Sequence, residues 1–145
     1  MEIRKPDYPE LPTGIRARAI DNSNGLNVNF LEAGFEEQGK HCVLLLHGFP
    51  ELAYSWRKVI LPLAAHGYHV IAPDLRGYGA TTGWSDDFDG DLGKFSFSNL
   101  LKDNIGLLAA LGHEECSVVG HDFGSPVAAY STLARPDIFK SVVLM

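Results

Sequence analysis

Asp122 stands in the stretch of this chain where residue types and spacing concentrate chemistry, Gly120-His121-Asp122-Phe123-Gly124. An apolar run, Cys116 to Val119, leads into it, and helix-like sequence, Ser125 to Ala134, follows at once. The pattern predicts a strand, a very tight turn and a helix, with Asp122 at the crown. Gly120 and Gly124 suit places where strand and helix come too close for a Cβ. A carboxylate there needs no base to activate it. Its ordinary pKa is near ~4, so it is ionised at neutral pH. It can displace a leaving group from saturated carbon and become an alkyl ester.

A side chain can be held at such a crown only by firm flanking elements. Cys42–Leu46 is continuously apolar, as expected of a strand covered on both faces, and His69–Ala72 and Cys116–Val119 read as two further buried strands. Ser141–Met145 begins a fourth such run. Between them lie helix-like segments: Trp56–His66, ended by Gly67; Phe97–Leu111, with Ser96 or Ser98 as a start and Gly112 as a stop; and Val127–Ala134, closed before Pro136. Strand alternating with helix predicts an α/β fold with a mostly parallel sheet. Ahead of it, Ile15–Ile20 and Leu26–Leu31 alternate apolar and polar residues around the turn cluster Asp21–Gly25. They read as an antiparallel hairpin of half-exposed strands. Residues 1–14, with Pro6, Pro9 and Pro12, read as an extended lead-in, and residues 15–145 as one domain.

The composition removes several classes of function. Hydrophobic residues make up 46% of the 145 and charged residues 21%, enough apolar sequence for a sizeable core. The net charge of -6, with no basic run, argues against a nucleic-acid partner. No apolar run approaches a membrane span. The N-terminus lacks the features of a signal peptide, and Cys42 and Cys116 read as reduced buried thiols. A cytoplasmic location is the expectation. The acidic loop Thr81–Lys94 does not fit a calcium-binding loop starting at Asp87, because Leu92 and Ser98 fall where Gly and Glu are needed. No metal or cofactor is implied.

In an open parallel sheet, sites form beyond the carboxyl ends of the strands. Three such ends are unusual here. His47-Gly48-Phe49-Pro50-Glu51 follows the first buried strand, Pro73-Asp74-Leu75-Arg76-Gly77-Tyr78-Gly79 the second, and the Asp122 turn the third. On these three motifs, in this order, the chain resembles the α/β-hydrolase family from about residue 15 to residue 145. More narrowly it resembles the epoxide hydrolase branch, with haloalkane dehalogenases as near relatives.

The resemblance implies that Asp122 is the nucleophile at the elbow, with serine replaced by aspartate. It implies an oxyanion hole from the backbone N–H groups of Phe49 and Phe123. His47 and Gly48 would shape the loop that aims the Phe49 amide, and Pro50 would set the backbone after it. Asp74, Arg76 and Gly77 would pin the turn after the second strand. Pro50 and Trp56 are candidates for the pocket wall, and Tyr54 and Tyr78 could approach it. Haloalkane dehalogenases hold the leaving halide with side-chain N–H donors at positions that here carry Phe49 and Phe123, which offer none. An apolar epoxide is therefore the expected substrate. The branch often carries Trp at the position of Phe123.

The six histidines read as structural or surface groups: His47 bonded within its loop, His121 packed or locally hydrogen-bonded on its turn, and His41, His66, His69 and His113 exposed at element ends. Relative to the family, the sequence stops after about the sixth strand. The later acid, the base histidine and the lid tyrosines would then be absent, and the 145 residues alone would be expected not to turn over. A vestigial, non-catalytic binding module is the alternative of another class.

Overall fold

The computed structural model describes residues 8–145; the start of the expected lead-in, residues 1–7, lies outside the described residues. Six strands form one sheet: β1 (Arg16–Asp21), β2 (Asn27–Ala33), β3 (Cys42–Leu46), β4 (His69–Pro73), β5 (Cys116–Gly120) and β6 (Phe139–Leu144). Their order across the sheet is β1-β2-β4-β3-β5-β6. The first two pairings, β1 with β2 and β2 with β4, are antiparallel. β4, β3, β5 and β6 run parallel. Three helices connect them: α1 (Arg57–Ala65), α2 (Phe97–Ala110) and α3 (Gly124–Ala134).

The most apolar strand, β3, is wholly buried, because helices cover both faces of the central parallel region. β3 shows this residue by residue. Cys42, Leu44 and Leu46 join the cluster that packs under α2 and α3, with Leu107, Leu108 and Val127. Val43 and Leu45 point the other way, into the cluster with Ile60 of α1. Each fully buried leucine of this kind contributes roughly 1.5–3 kcal/mol from burial. Ser96 caps α2, its side chain accepting from the Asn99 N–H.

The hairpin departs from expectation. β1 is exposed on nearly all of its residues, whereas β2 is buried almost throughout. The alternation in β2 misleads because its polar residues find partners inside. Asn29 donates to Asp74 at 2.9 Å, and Glu32, 0% exposed, accepts from Arg16, Arg18 and His69. The helix expected over Trp56–His66 is α1, Arg57–Ala65, and a 3-10 turn, Ala53–Trp56, leads into it. The third helix begins at Gly124 rather than Val127, directly on the turn that carries Asp122. Cys42 and Cys116 lie side by side in register on β3 and β5, as free buried thiols. At the far edge, Val142, Val143, Leu144 and Met145 are exposed.

Candidate functional site

β5 enters the turn at Gly120 and α3 leaves it at Gly124. A Cβ on Gly120 would lie 2.3 Å from the Gly124 carbonyl oxygen, and one on Gly124 would lie 2.3 Å from that of Leu46. Both contacts are with backbone, so glycine is required for strand and helix to meet this closely. The strain falls on Asp122, whose φ of 50° makes it the one non-glycine residue at positive φ among the described residues. Such a conformation persists only where the surroundings impose it. β6 supplies part of that constraint: the Asp122 N–H donates to the Met145 carbonyl at 2.9 Å, and Met145 N–H donates to that of Gly120 at 2.9 Å.

Asp122 stands exposed at the crown, and backbone amides converge on it. The Phe49 N–H donates to Oδ1 at 2.8 Å. Hydrogen bonds from the Phe49 and Phe123 amides hold its pKa below the ordinary carboxylate range, against a small opposing effect of desolvation. The Phe49 amide thus fixes one oxygen of Asp122 at the crown, and the Phe123 amide acts on the carboxyl from within the turn.

The loop that presents Phe49 is anchored from beneath. His47 is buried, with Nδ1 3.0 Å from the Gly48 carbonyl and Nε2 accepting from the Leu75 N–H at 3.0 Å. Since Nε2 accepts, the proton sits on Nδ1 and donates to Gly48. Burial pushes the pKa of this histidine down, so it stays neutral and both ring nitrogens are occupied. Gly48 packs directly against the Asp122 side chain. The Phe49–Pro50 peptide is cis, and both side chains are exposed.

Asp74 is buried and accepts from Ala80 N–H within its own turn, from Ala53 N–H before α1, from Asn29, and from the Tyr8 hydroxyl at 3.2 Å. It pins four segments instead of one. Burial, then the charge of Asp74, raises the Tyr8 phenol. Arg76 makes a two-point ion pair with Asp103 of α2, 2.8 Å at each contact. Neither Tyr8 nor Asp103 stands out in the sequence, because their partners lie 66 and 27 residues away.

Beside Asp122 opens a cleft of about 360 Å³, walled by Phe49, Tyr78, Trp84, Phe95, Leu100 and Phe123 and touched by Arg76 and Gly77. Tyr78 reaches it as expected, its ring edge on His47. Burial and the charge of Asp122 raise its pKa, so it remains a phenol. Trp56 does not reach it. Its side chain is buried in the α1-side core with Ile15, Leu31 and Val43, so it anchors its segment. Pro50 is not among the residues that wall this cleft. His121 is half-exposed, and of its two expected roles it takes the local polar contact, with Nδ1 3.3 Å from Glu51. Among the described residues, no group of three or more His, Cys, Asp or Glu could hold a metal ion, and no helix is long and apolar enough to cross a membrane.

Known proteins share this fold. The family model for the alpha/beta hydrolase fold matches residues 42–145. Epoxide hydrolase 3 of Siraitia grosvenorii is 43% identical over 122 residues, which cover 84% of this chain and 36% of that protein. Epoxide hydrolase A of Mycobacterium tuberculosis is 39% identical over 132 residues, covering 91% of this chain and 39% of that one. Among solved structures, an epoxide hydrolase from an endophytic Streptomyces superposes with a TM-score of 0.81 at 40% identity, over 92% of this chain and 37% of its own. Potato epoxide hydrolase I gives 0.79 at 41% identity, over 90% and 39%. The chain thus spans well under half the length of the relatives it matches.

Proposed function

The chain belongs to the alpha/beta hydrolase fold family, and from that premise we propose that it is the N-terminal portion, residues 15–145, of an epoxide hydrolase-like domain with Asp122 as nucleophile. The observation that carries the proposal is the Phe49 N–H bond to Asp122 Oδ1 on an exposed, strained crown. An oxygen bonded to fixed amides is a poor attacker but a well-placed carbonyl. Oδ2 then attacks a ring carbon of the epoxide. The new C–O bond forms as the ring C–O bond breaks, and the departing oxygen takes up a proton. Oδ1, already bonded to the Phe49 amide, becomes the ester carbonyl, with the Phe123 amide as the second donor. When water adds to that ester, the charge develops on Oδ1, where those donors hold it.

Water attack needs a base with a free lone pair. His47 has none, since both of its ring nitrogens are occupied. The base, its carboxylate partner and the acid that protonates the departing oxygen would be supplied from outside these 145 residues. The ester is therefore the expected end point for the chain by itself.

An epoxide is favoured over an alkyl halide by the state of the tryptophans. Trp84 lines the cleft, but its indole N–H donates to the Thr81 carbonyl at 2.8 Å. Trp56 is buried elsewhere. The Trp84 N–H is engaged and that of Trp56 is buried away from the cleft, so neither meets a leaving halide there. The aromatic walls suit an apolar substrate. Incubating the chain with excess apolar aryl epoxide tests this reading. The expected result is consumption of at most one equivalent without sustained diol release, and no reaction with the matching alkyl chloride. Sustained diol release that disappears in Asp122→Asn would overturn the division of labour, and faster reaction with the chloride would overturn the substrate class.

A further inference from the structure

The other end of the parallel strands carries a second cluster, which the chemistry at Asp122 does not use. Glu32 of β2 is fully buried. It accepts from Arg16 Nε at 2.7 Å and Arg18 Nε at 2.5 Å, both on β1, and its other oxygen lies 2.7 Å from His69 Nε2 at the start of β4. His69 Nδ1 lies 2.7 Å from His113 Nε2, in the turn between α2 and β5. His69 and His113 were expected at the surface; instead they are partly buried and bonded to each other.

The cluster borders a cleft of about 700 Å³. Arg16, Arg18 and Lys40 line it together with Glu37, Glu114 and Glu115, so its fixed charges cancel and it offers no net attraction to an ion. Its particular feature is the line of hydrogen bonds. Glu32 only accepts, so His69 Nε2 carries a proton. A neutral His69 then presents a lone pair at Nδ1, and His113 Nε2–H must donate to it. A single extra proton on the pair leaves one hydrogen in the N···N gap, and the contact survives. A second extra proton puts two N–H groups and two positive charges face to face.

We propose that His69 and His113, oriented by Glu32, form a proton-responsive clasp. It joins the start of β4 to the turn before β5 across the intervening β3, and it opens when both rings are charged. The surrounding groups fit this behaviour. Arg16 and Arg18 saturate Glu32, which therefore offers the second proton little compensation. His41, whose Nε2 is 2.8 Å from Ser117 Oγ, adds its influence to the burial and the neighbouring His69 that push His113 below the ordinary imidazole range. Glu114 and Glu115 sit in the same turn, with Glu115 3.7 Å from Lys140. The segment released would be Leu111–Glu115, which leads into the strand that ends in the Asp122 turn.

Nitrogen-resolved NMR of the histidine rings tests the resting state without any substitution. At about pH 7.5 both His69 and His113 should show the Nε2–H tautomer; an Nδ1–H tautomer on His69 would overturn the clasp. Amide protection over residues 111–116, corrected for intrinsic exchange, tests the opening. It should fall about tenfold or more between roughly pH 7 and pH 4.5 in the native chain. In His113→Gln, whose amide donates but does not titrate, it should change by less than about twofold. An equal fall in both chains would contradict the proposal.

Discussion

Two carboxylates, one at each end of the parallel strands, are both held ionised, but by opposite means. Asp122 is exposed, and the groups that chiefly lower its pKa are backbone amides of two loops, with a lesser contribution from His121. Glu32 is buried; desolvation works against its ionised form, and hydrogen bonds from His69, Arg18 and Arg16 outweigh it, bringing the pKa to about 2. Amides cannot rearrange or exchange partners, so they fix an oxygen in space and leave its twin free to react. Mobile cations saturate every lone pair and leave a carboxylate inert. The first arrangement suits a nucleophile, the second a structural tie.

If one end is built of backbone and the other of side chains, substitutions should separate them. The largest effect is expected for Gly124→Ala, whose Cβ would meet the Leu46 carbonyl oxygen at 2.3 Å. A loss of roughly 3 kcal/mol or more should appear in urea denaturation. A loss below about 1 kcal/mol would mean that the elbow tolerates more movement than its packing indicates.

Glu32→Gln should cost about 1–2 kcal/mol near neutral pH, the half-exposed arginines being partly compensated by water. Its pH dependence sharpens the contrast. The folded pKa of Glu32, about 2, lies below its ordinary 4.5, so its stabilisation is present above about pH 4.5 and lost as pH falls toward 2. Denaturation midpoints of the native chain should fall across that window, and those of Glu32→Gln should fall less. Parallel curves would remove Glu32 from the tie.

The smallest stability effect is expected for Asp122→Asn. The side chain is exposed and Asn tolerates positive φ, so the change should stay within about 0.5 kcal/mol. A nearly silent substitution in stability that abolishes reaction at the elbow would mark Asp122 as a chemical group and not a structural one.

The sequence shows one of these ends far better than the other. Gly120-x-Asp122-x-Gly124 announces itself because a tight turn imposes residue types locally, and β3 and β4 announce themselves because burial on both faces leaves no alternation. The Glu32 cluster is silent because its members are 37 and 44 residues apart along the chain and meet only through sheet pairing. For the same reason β2 reads as half-exposed: a buried Asn29 or Glu32 cannot be told from a surface one until Asp74 and His69 arrive beside it. Trp56 was ambiguous because its large apolar ring suits a pocket wall and a core equally, and only the packing of α1 decides.

The most direct measurement is a peptide mass map of the chain after exposure to an electron-poor aryl epoxide at mildly acidic pH, where Asp122 stays ionised. One equivalent of epoxide should be found as an ester on the peptide containing Asp122, absent in Asp122→Asn and cleaved by hydroxylamine. An adduct on another residue, or one that persists in Asp122→Asn, would contradict the assignment of Asp122 as the nucleophile.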